Sequence, residues 1–98
     1  MKEIGLITDI SFLATAQEKF NFPLNSSIRI SFWLPNSTTS TFCEIIFNNE
    51  NIELDRNYRA RINVIERDFL IGRLLESCEF NVGNYPVSIG MGKIIQIL

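Results

Sequence analysis

A chain of 98 residues, 46% hydrophobic and 20% charged, has material for one core and one domain spanning 1–98, and lies outside the low-hydrophobicity, high-charge range of disorder. A formal net charge of -2 offers no global positive field to neutralise a phosphate backbone, which disfavours general nucleic-acid binding. Histidine is absent, and with it go Ser-His-Asp and Cys-His nucleophiles, imidazole bases and most zinc sites.

No apolar run approaches the ~18 positions that a membrane helix needs, and Glu3 and Asp9 interrupt the N-terminal stretch where a signal peptide requires an apolar segment. The expectation is a cytoplasmic chain with no membrane partner. Ile4 to Leu13 alternates Ile4, Leu6, Ile10 and Phe12 against Asp9 and Ser11, the period of a half-buried strand. Ala14 to Ser27 is a polar, irregular loop with its own apolar anchor in Phe20, Phe22, Pro23 and Leu24. Ile28 to Leu34 alternates cleanly, Ile28, Ile30, Phe32 and Leu34 against Arg29, Ser31 and Trp33, and stops at Pro35-Asn36-Ser37.

Thr41 to Phe47 predicts a third strand, with Cys43, Ile45 and Phe47 opposite Phe42, Glu44 and Ile46, ending in the turn-forming run Asn48-Asn49-Glu50-Asn51. Tyr58 to Ile65 predicts a fourth, Tyr58, Ala60, Ile62 and Val64 opposite Arg59, Arg61 and Asn63. Over Glu66 to Glu76 the residues Ile65, Phe69, Gly72 and Leu75 nearly fit helical spacing around a glycine, leaving a short helical turn and an irregular loop both open. Glu79 to Val82, Val87 to Gly90 and Lys93 to Leu98 read as closing strands split at Gly83-Asn84-Tyr85-Pro86 and at Gly90-Met91-Gly92. Six or seven short strands make an all-β barrel or sandwich.

Cys43 and Cys78 are too few for a disulfide framework and read as buried, reduced thiols. Asn25-Ser26-Ser27 and Asn36-Ser37-Thr38 match the glycosylation acceptor pattern, which acts only in a secreted chain, so both read as polar turns.

The segment from Phe80 to Ile95 carries Phe80, Val82, Ile89, Gly90, Gly92 and Ile94 at the spacing of a Phe-x-Ile strand that passes through a hairpin into Val-Gly-x-Gly-x-Val. Upstream, Pro23, Ser26, Arg29 and Phe32 follow a Pro-x-x-Ser-x-x-Arg-x-x-Phe pattern, and Asp55-Arg56-Asn57-Tyr58 stands where a Pro-Gly-Asp-Asn-Val turn would be. In these collinear places the chain resembles the C-terminal β-barrel of elongation factor Tu, as a stand-alone domain. The resemblance implies a small closed antiparallel β-barrel of six or seven strands, with the paired glycines permitting a bend or a close backbone approach at a barrel corner. It departs from the family at Pro86 and Val87 in the closing hairpin, at Gln17-Glu18-Lys19 where the family has Gly-Gly-Arg-His, and in a longer connection over 67–79. Those are regions through which the family contacts transfer RNA and partner proteins.

Little remains for catalysis. Gly90-Met91-Gly92-Lys93 superficially resembles a phosphate loop, but it lacks the four-residue gap between glycines and the Ser/Thr after lysine. Glu53 with Asp55, and Glu66 with Asp68, are carboxylate pairs with no pocket signal beside them and read as solvated loops. No cofactor and no metal are expected, and the chain is not expected to be an enzyme.

On the outward faces, Arg29, Trp33, Arg59 and Arg61 belong to the residue types enriched in interface hot spots. The other reading is that the Phe20 to Leu24 loop covers Trp33 and the arginines blunt a sheet face. Glu50, Glu53 and Asp55 form an acidic run before Arg56, suited to steering a basic partner or to solubility alone. Together these residues are the partner-binding candidates. The expected function is a non-catalytic protein-binding module, concretely a small cytoplasmic inhibitor or immunity protein that occupies a basic toxin or enzyme. The alternative is a transfer-RNA-binding module served by Arg29, Arg59 and Arg61.

Overall fold

Side-chain alternation in the strand regions partitions this chain into an apolar inside and a charged outside, and the backbone closes around the first. The computed structural model describes residues 2–18, 20, 27–47 and 52–98. Among the described residues there are six strands: β1 Glu3–Phe12, β2 Ile28–Trp33, β3 Thr41–Phe47, β4 Asn57–Ile65, β5 Glu79–Asn84 and β6 Val87–Ile97. They form a closed barrel in the order β1-β4-β3-β2-β5-β6, and every neighbouring pair is antiparallel. Closure gives each of these strands a neighbour on both sides, which shields most of the sheet edge that could recruit another chain. The β2–β5 seam is the shortest, joined at Ser31↔Gly83, Phe32↔Val82 and Trp33↔Asn81.

Inside, Leu6, Ile10, Phe12, Phe32, Ile45, Ile62, Val64, Phe80, Val82 and Ile94 are fully buried, and they interdigitate across the barrel. The rings of Phe32 and Phe80 stack with centroids 5.1 Å apart, while Phe12 meets Phe47 edge-on at 5.9 Å. Two threonines also point inward, and each hydroxyl donates to a carbonyl, Thr8 to Ala60 at 3.0 Å and Thr41 to Ile65 at 2.9 Å, so neither adds an unsatisfied buried dipole. The barrel mouths are stoppered by the connections. A 3-10 turn over Ala14–Glu18 brings Ala16 onto the mouth where β1 ends and packs against β6, Ile52 from the β3–β4 connection also joins the core, and Leu70 and Leu74 from the β4–β5 connection join it at the other mouth.

Three expectations are refined by this arrangement. The ambiguous 66–76 segment holds one 3-10 turn, Asp68–Leu70, and does not follow the near-helical spacing: Leu70 and Leu74 are the buried residues, Leu75 is exposed and Gly72 adopts φ 77°. The two closing strands expected on either side of Gly90-Met91-Gly92 are one strand, β6, that runs through both glycines. Gly92 lies opposite Ile10 on one side and Phe80 on the other. A Cβ there would strike the Asp9 carbonyl oxygen and stand 2.7 Å from Phe80 Cζ, so the glycine lets three strands close up around an aromatic ring rather than ending one. Third, Cys43 is buried but Cys78 is only half-buried, and both are free thiols. The Asn25 acceptor motif and the anchor residues Phe22, Pro23 and Leu24 lie outside the described residues, whereas Phe20 packs partly against the core.

Burial pushes the Cys43 thiol from 9.0 up to about 12, with the backbone hydrogen bond at Ile30 acting weakly in the opposite direction. Below pH 9 the thiol is neutral in the folded and unfolded chain alike, and its contribution to stability is fully present. Between pH 9 and 12 the unfolded chain releases a proton that the folded chain retains, so stability is lost at up to about 1.4 kcal/mol per pH unit. Urea titrations across this range should show a shallower alkaline loss in Cys43→Ala than in the parent. In the native protein a thiol reagent should modify Cys78 and reach Cys43 only on unfolding.

Candidate functional site

The outward positions of β2, β3, β4 and β1 form one continuous wall, because residues of equal parity are brought side by side by the strand register. Arg29 lies opposite Glu44, Glu44 opposite Asn63, and Asn63 opposite Gly5. One row further along, Ile46, Arg61 and Ile7 are neighbours. A third row runs Arg59, Asp9, Lys93 and Glu79 through β4, β1, β6 and β5, alternating in charge.

The three arginines singled out from the sequence, Arg29, Arg59 and Arg61, are on this wall and exposed. Arg29 Nε donates to Glu44 Oε2 at 3.4 Å, and Ser27 Oγ reaches the same oxygen at 3.5 Å. Arg59 Nε donates to Asp9 Oδ1 at 2.7 Å. Arg61 Nε donates to Asn63 Oδ1 at 3.1 Å, and its guanidinium lies over Gly5, where an added Cβ would meet Nη2 at 3.2 Å. These pairs are solvent-exposed at their basic ends, so each contributes at most about 1 kcal/mol and serves chiefly to orient the guanidinium.

Trp33 is placed differently. It keeps the outward parity of Arg29 and Ser31 but is 6% exposed, with Tyr85 edge-on against it at 5.1 Å. Tyr85 is itself held by a hydrogen bond from its hydroxyl to the Ser37 carbonyl at 3.0 Å. The β5–β6 hairpin therefore takes part in the cover that the sequence reading assigned to the 20–24 loop, because the β2–β5 seam sets that hairpin beside the end of β2. The acidic run is not an uncompensated patch either. Glu53 pairs with Arg56 at 3.3 Å, Asp55 takes φ 57° in the turn and donates its backbone N–H to the Phe12 carbonyl, and Glu50 lies outside the described residues.

The large aromatic that the wall does present is Phe42, 61% exposed on β3. It flanks a groove of about 410 Å³ whose lining includes Glu3, Arg29, Glu44, Asn63 and Ile65. The signal was in the sequence, since Phe42 has the parity opposite to Cys43 and Ile45, yet the choice between Phe42 and Trp33 as the surface aromatic depends on what lies above each of them. A second groove, about 500 Å³, lies over β4, β1, β6 and β5 and contains Asp9, Ser11, Asn57, Glu79 and Lys93. The carboxylate pairs Glu53/Asp55 and Glu66/Asp68 line neither groove, and Glu66 is engaged by Lys2 at 3.8 Å.

Chemically, the Phe42 wall combines an exposed ring, oriented guanidinium groups and carboxylates on a closed, rigid scaffold, the materials of a recognition surface. Among the described residues no group of three or more His, Cys, Asp or Glu side chains is placed to hold a metal ion, and no helix is long and apolar enough to cross a membrane. No protein-family model matches this chain, and no curated protein matches it in sequence.

Proposed function

We propose that this chain is a non-catalytic protein-binding module that docks a partner on the outer wall of β2, β3, β4 and β1, in the role of a small cytoplasmic inhibitor or immunity protein of the bacterial kind. We further propose that its barrel is a relative of the elongation factor Tu C-terminal barrel. The observation that carries the functional reading is Phe42, an aromatic side chain standing largely in water at the edge of a groove. Covering the exposed part of this ring, 61% of the residue, removes mostly apolar surface from water, on the order of 100 Å², and gives a partner an anchor. Arg29, already oriented by Glu44, and Asn63 line the same groove and set directional polar groups beside the anchor.

The transfer-RNA reading is less well supported, because Arg29 and Arg59 each face a carboxylate that a phosphate would have to displace. The two separate in one experiment. Immobilised chain is exposed to nuclease-treated extract of its source cells in parent and Phe42→Ala forms, the recovered protein is purified, and its activity is assayed against added chain. The expected result is a partner retained by the parent, lost by Phe42→Ala, and inhibited at stoichiometric amounts. Because Phe42 is exposed, the substitution should cost less than about 1 kcal/mol of stability. Equal retention by both forms, or a low-salt gel shift with transfer RNA in place of a protein partner, sinks the proposal.

A further inference from the structure

We infer that the Phe42 groove receives a cationic side chain, an arginine or a lysine projecting from a basic partner. This rests on the protein-binding reading above and adds to it the chemistry of the residue that docks. Of the charged side chains lining the groove, Glu3 and Glu44 are acidic and Arg29 is basic. Arg29 is turned to Glu44, 3.4 Å away, and so neutralises one carboxylate. Glu3 makes no ion pair among the described residues and is exposed, leaving the groove with a net negative charge in a chain whose own balance is -2.

The layout suits such a guest. Glu3 lies opposite Ile65 on β4, and the β3–β4 register that pairs Cys43 with Val64 sets Phe42 beside Ile65 on the outer wall. Ring, aliphatic side chain and carboxylate thus follow one another across adjacent strands. A guanidinium or ammonium lying on the Phe42 ring gains from its negative face, its methylene stem covers Ile65, and its charge meets Glu3. An acidic guest finds one guanidinium already committed to Glu44 and a second carboxylate facing it. An uncharged apolar guest leaves the Glu3 charge partly desolvated without a partner.

The test uses the intact chain and three small probes, the N-acetyl amides of arginine, norleucine and glutamate, followed by amide and aromatic-ring resonances in NMR. The arginine probe should move the resonances of Phe42, Glu44 and Ile65, and added salt should weaken the response. Phe42→Leu, which keeps an apolar side chain in the strand but removes the π face, should weaken arginine binding about fivefold, and Glu3→Gln should weaken it similarly. An equal response to norleucine, a larger response to glutamate, or no response to arginine at these residues overturns the inference. If any of those results coincides with Phe42-dependent capture of a protein partner, the protein-binding reading stands and its cationic contact falls. If capture is indifferent to Phe42, the reading itself falls.

Discussion

Gly92→Ala is expected to destabilise the barrel by more than about 3 kcal/mol, beyond the usual cost of overpacking. A single methyl group at this position runs into the Asp9 carbonyl oxygen and approaches Phe80 Cζ to 2.7 Å. The ring can shift, but the carbonyl belongs to the ladder between β1 and β6, so relieving it means moving two strands apart. Gly72→Ala is the informative control. Gly72 has φ 77° and nothing within 4 Å of a notional Cβ, so alanine there meets backbone strain alone, about 1 kcal/mol. Urea unfolding followed by the fluorescence of Trp33, the chain's single tryptophan, provides the measurement. Equal losses in the two variants would show that the close approach at Gly92 is not what holds β6 to β1.

The second large effect concerns the stacked pair at the centre. Phe32→Ala and Phe80→Ala should each cost about 3–5 kcal/mol, through lost burial and the cavity left behind, since Phe32 is 0% and Phe80 1% exposed. Their centroids are 5.1 Å apart at an interplanar angle of 23°, so the double variant should lose less than the sum by about 0.5–1.5 kcal/mol. The pair also interacts with the glycine. In a Phe80→Ala background the penalty of Gly92→Ala should shrink but not vanish, because the ring is gone while the Asp9 carbonyl remains. A penalty unchanged by the removal of Phe80 would mean that the backbone contact accounts for all of it.

The faces of the strands are legible along the chain. The inward sets Leu6, Ile10 and Phe12, Ile28, Ile30 and Phe32, and Ala60, Ile62 and Val64 are all buried as their alternation predicts, and Arg29, Arg59 and Arg61 are all exposed. The unit that reads poorly is the connection. The 66–76 segment carries apolar residues at near-helical spacing, yet Leu75 of that set is exposed while Leu70 and Leu74 plug a barrel mouth, a destination that does not exist until the strands have closed. Gly90-Met91-Gly92 reads as a break because glycine usually punctuates strands. Here a strand neighbour from the far end of the chain, β1, fills the space that side chains would have taken.

The candidate site divides in the same way. Parity alone assigns Phe42 and Trp33 to the outer wall, because successive side chains on an extended backbone point to opposite faces whatever surrounds them. Trp33 is taken out of water with the help of Tyr85, 52 positions beyond it in sequence and 5.1 Å from it in space, while Phe42 stays 61% exposed. The ion pairs Arg29–Glu44 and Arg59–Asp9 are likewise products of strand order. The amino-acid sequence by itself therefore determined the strands, their inner and outer faces and the all-β class, since these follow from a two-residue period intrinsic to the chain. The single continuous β6, the covering of Trp33, the pairing of the charged residues and the groove beside Phe42 were decided by the tertiary structure. Each depends on which distant segments closure makes neighbours, and an extended strand carries no local mark of the strand that will lie beside it.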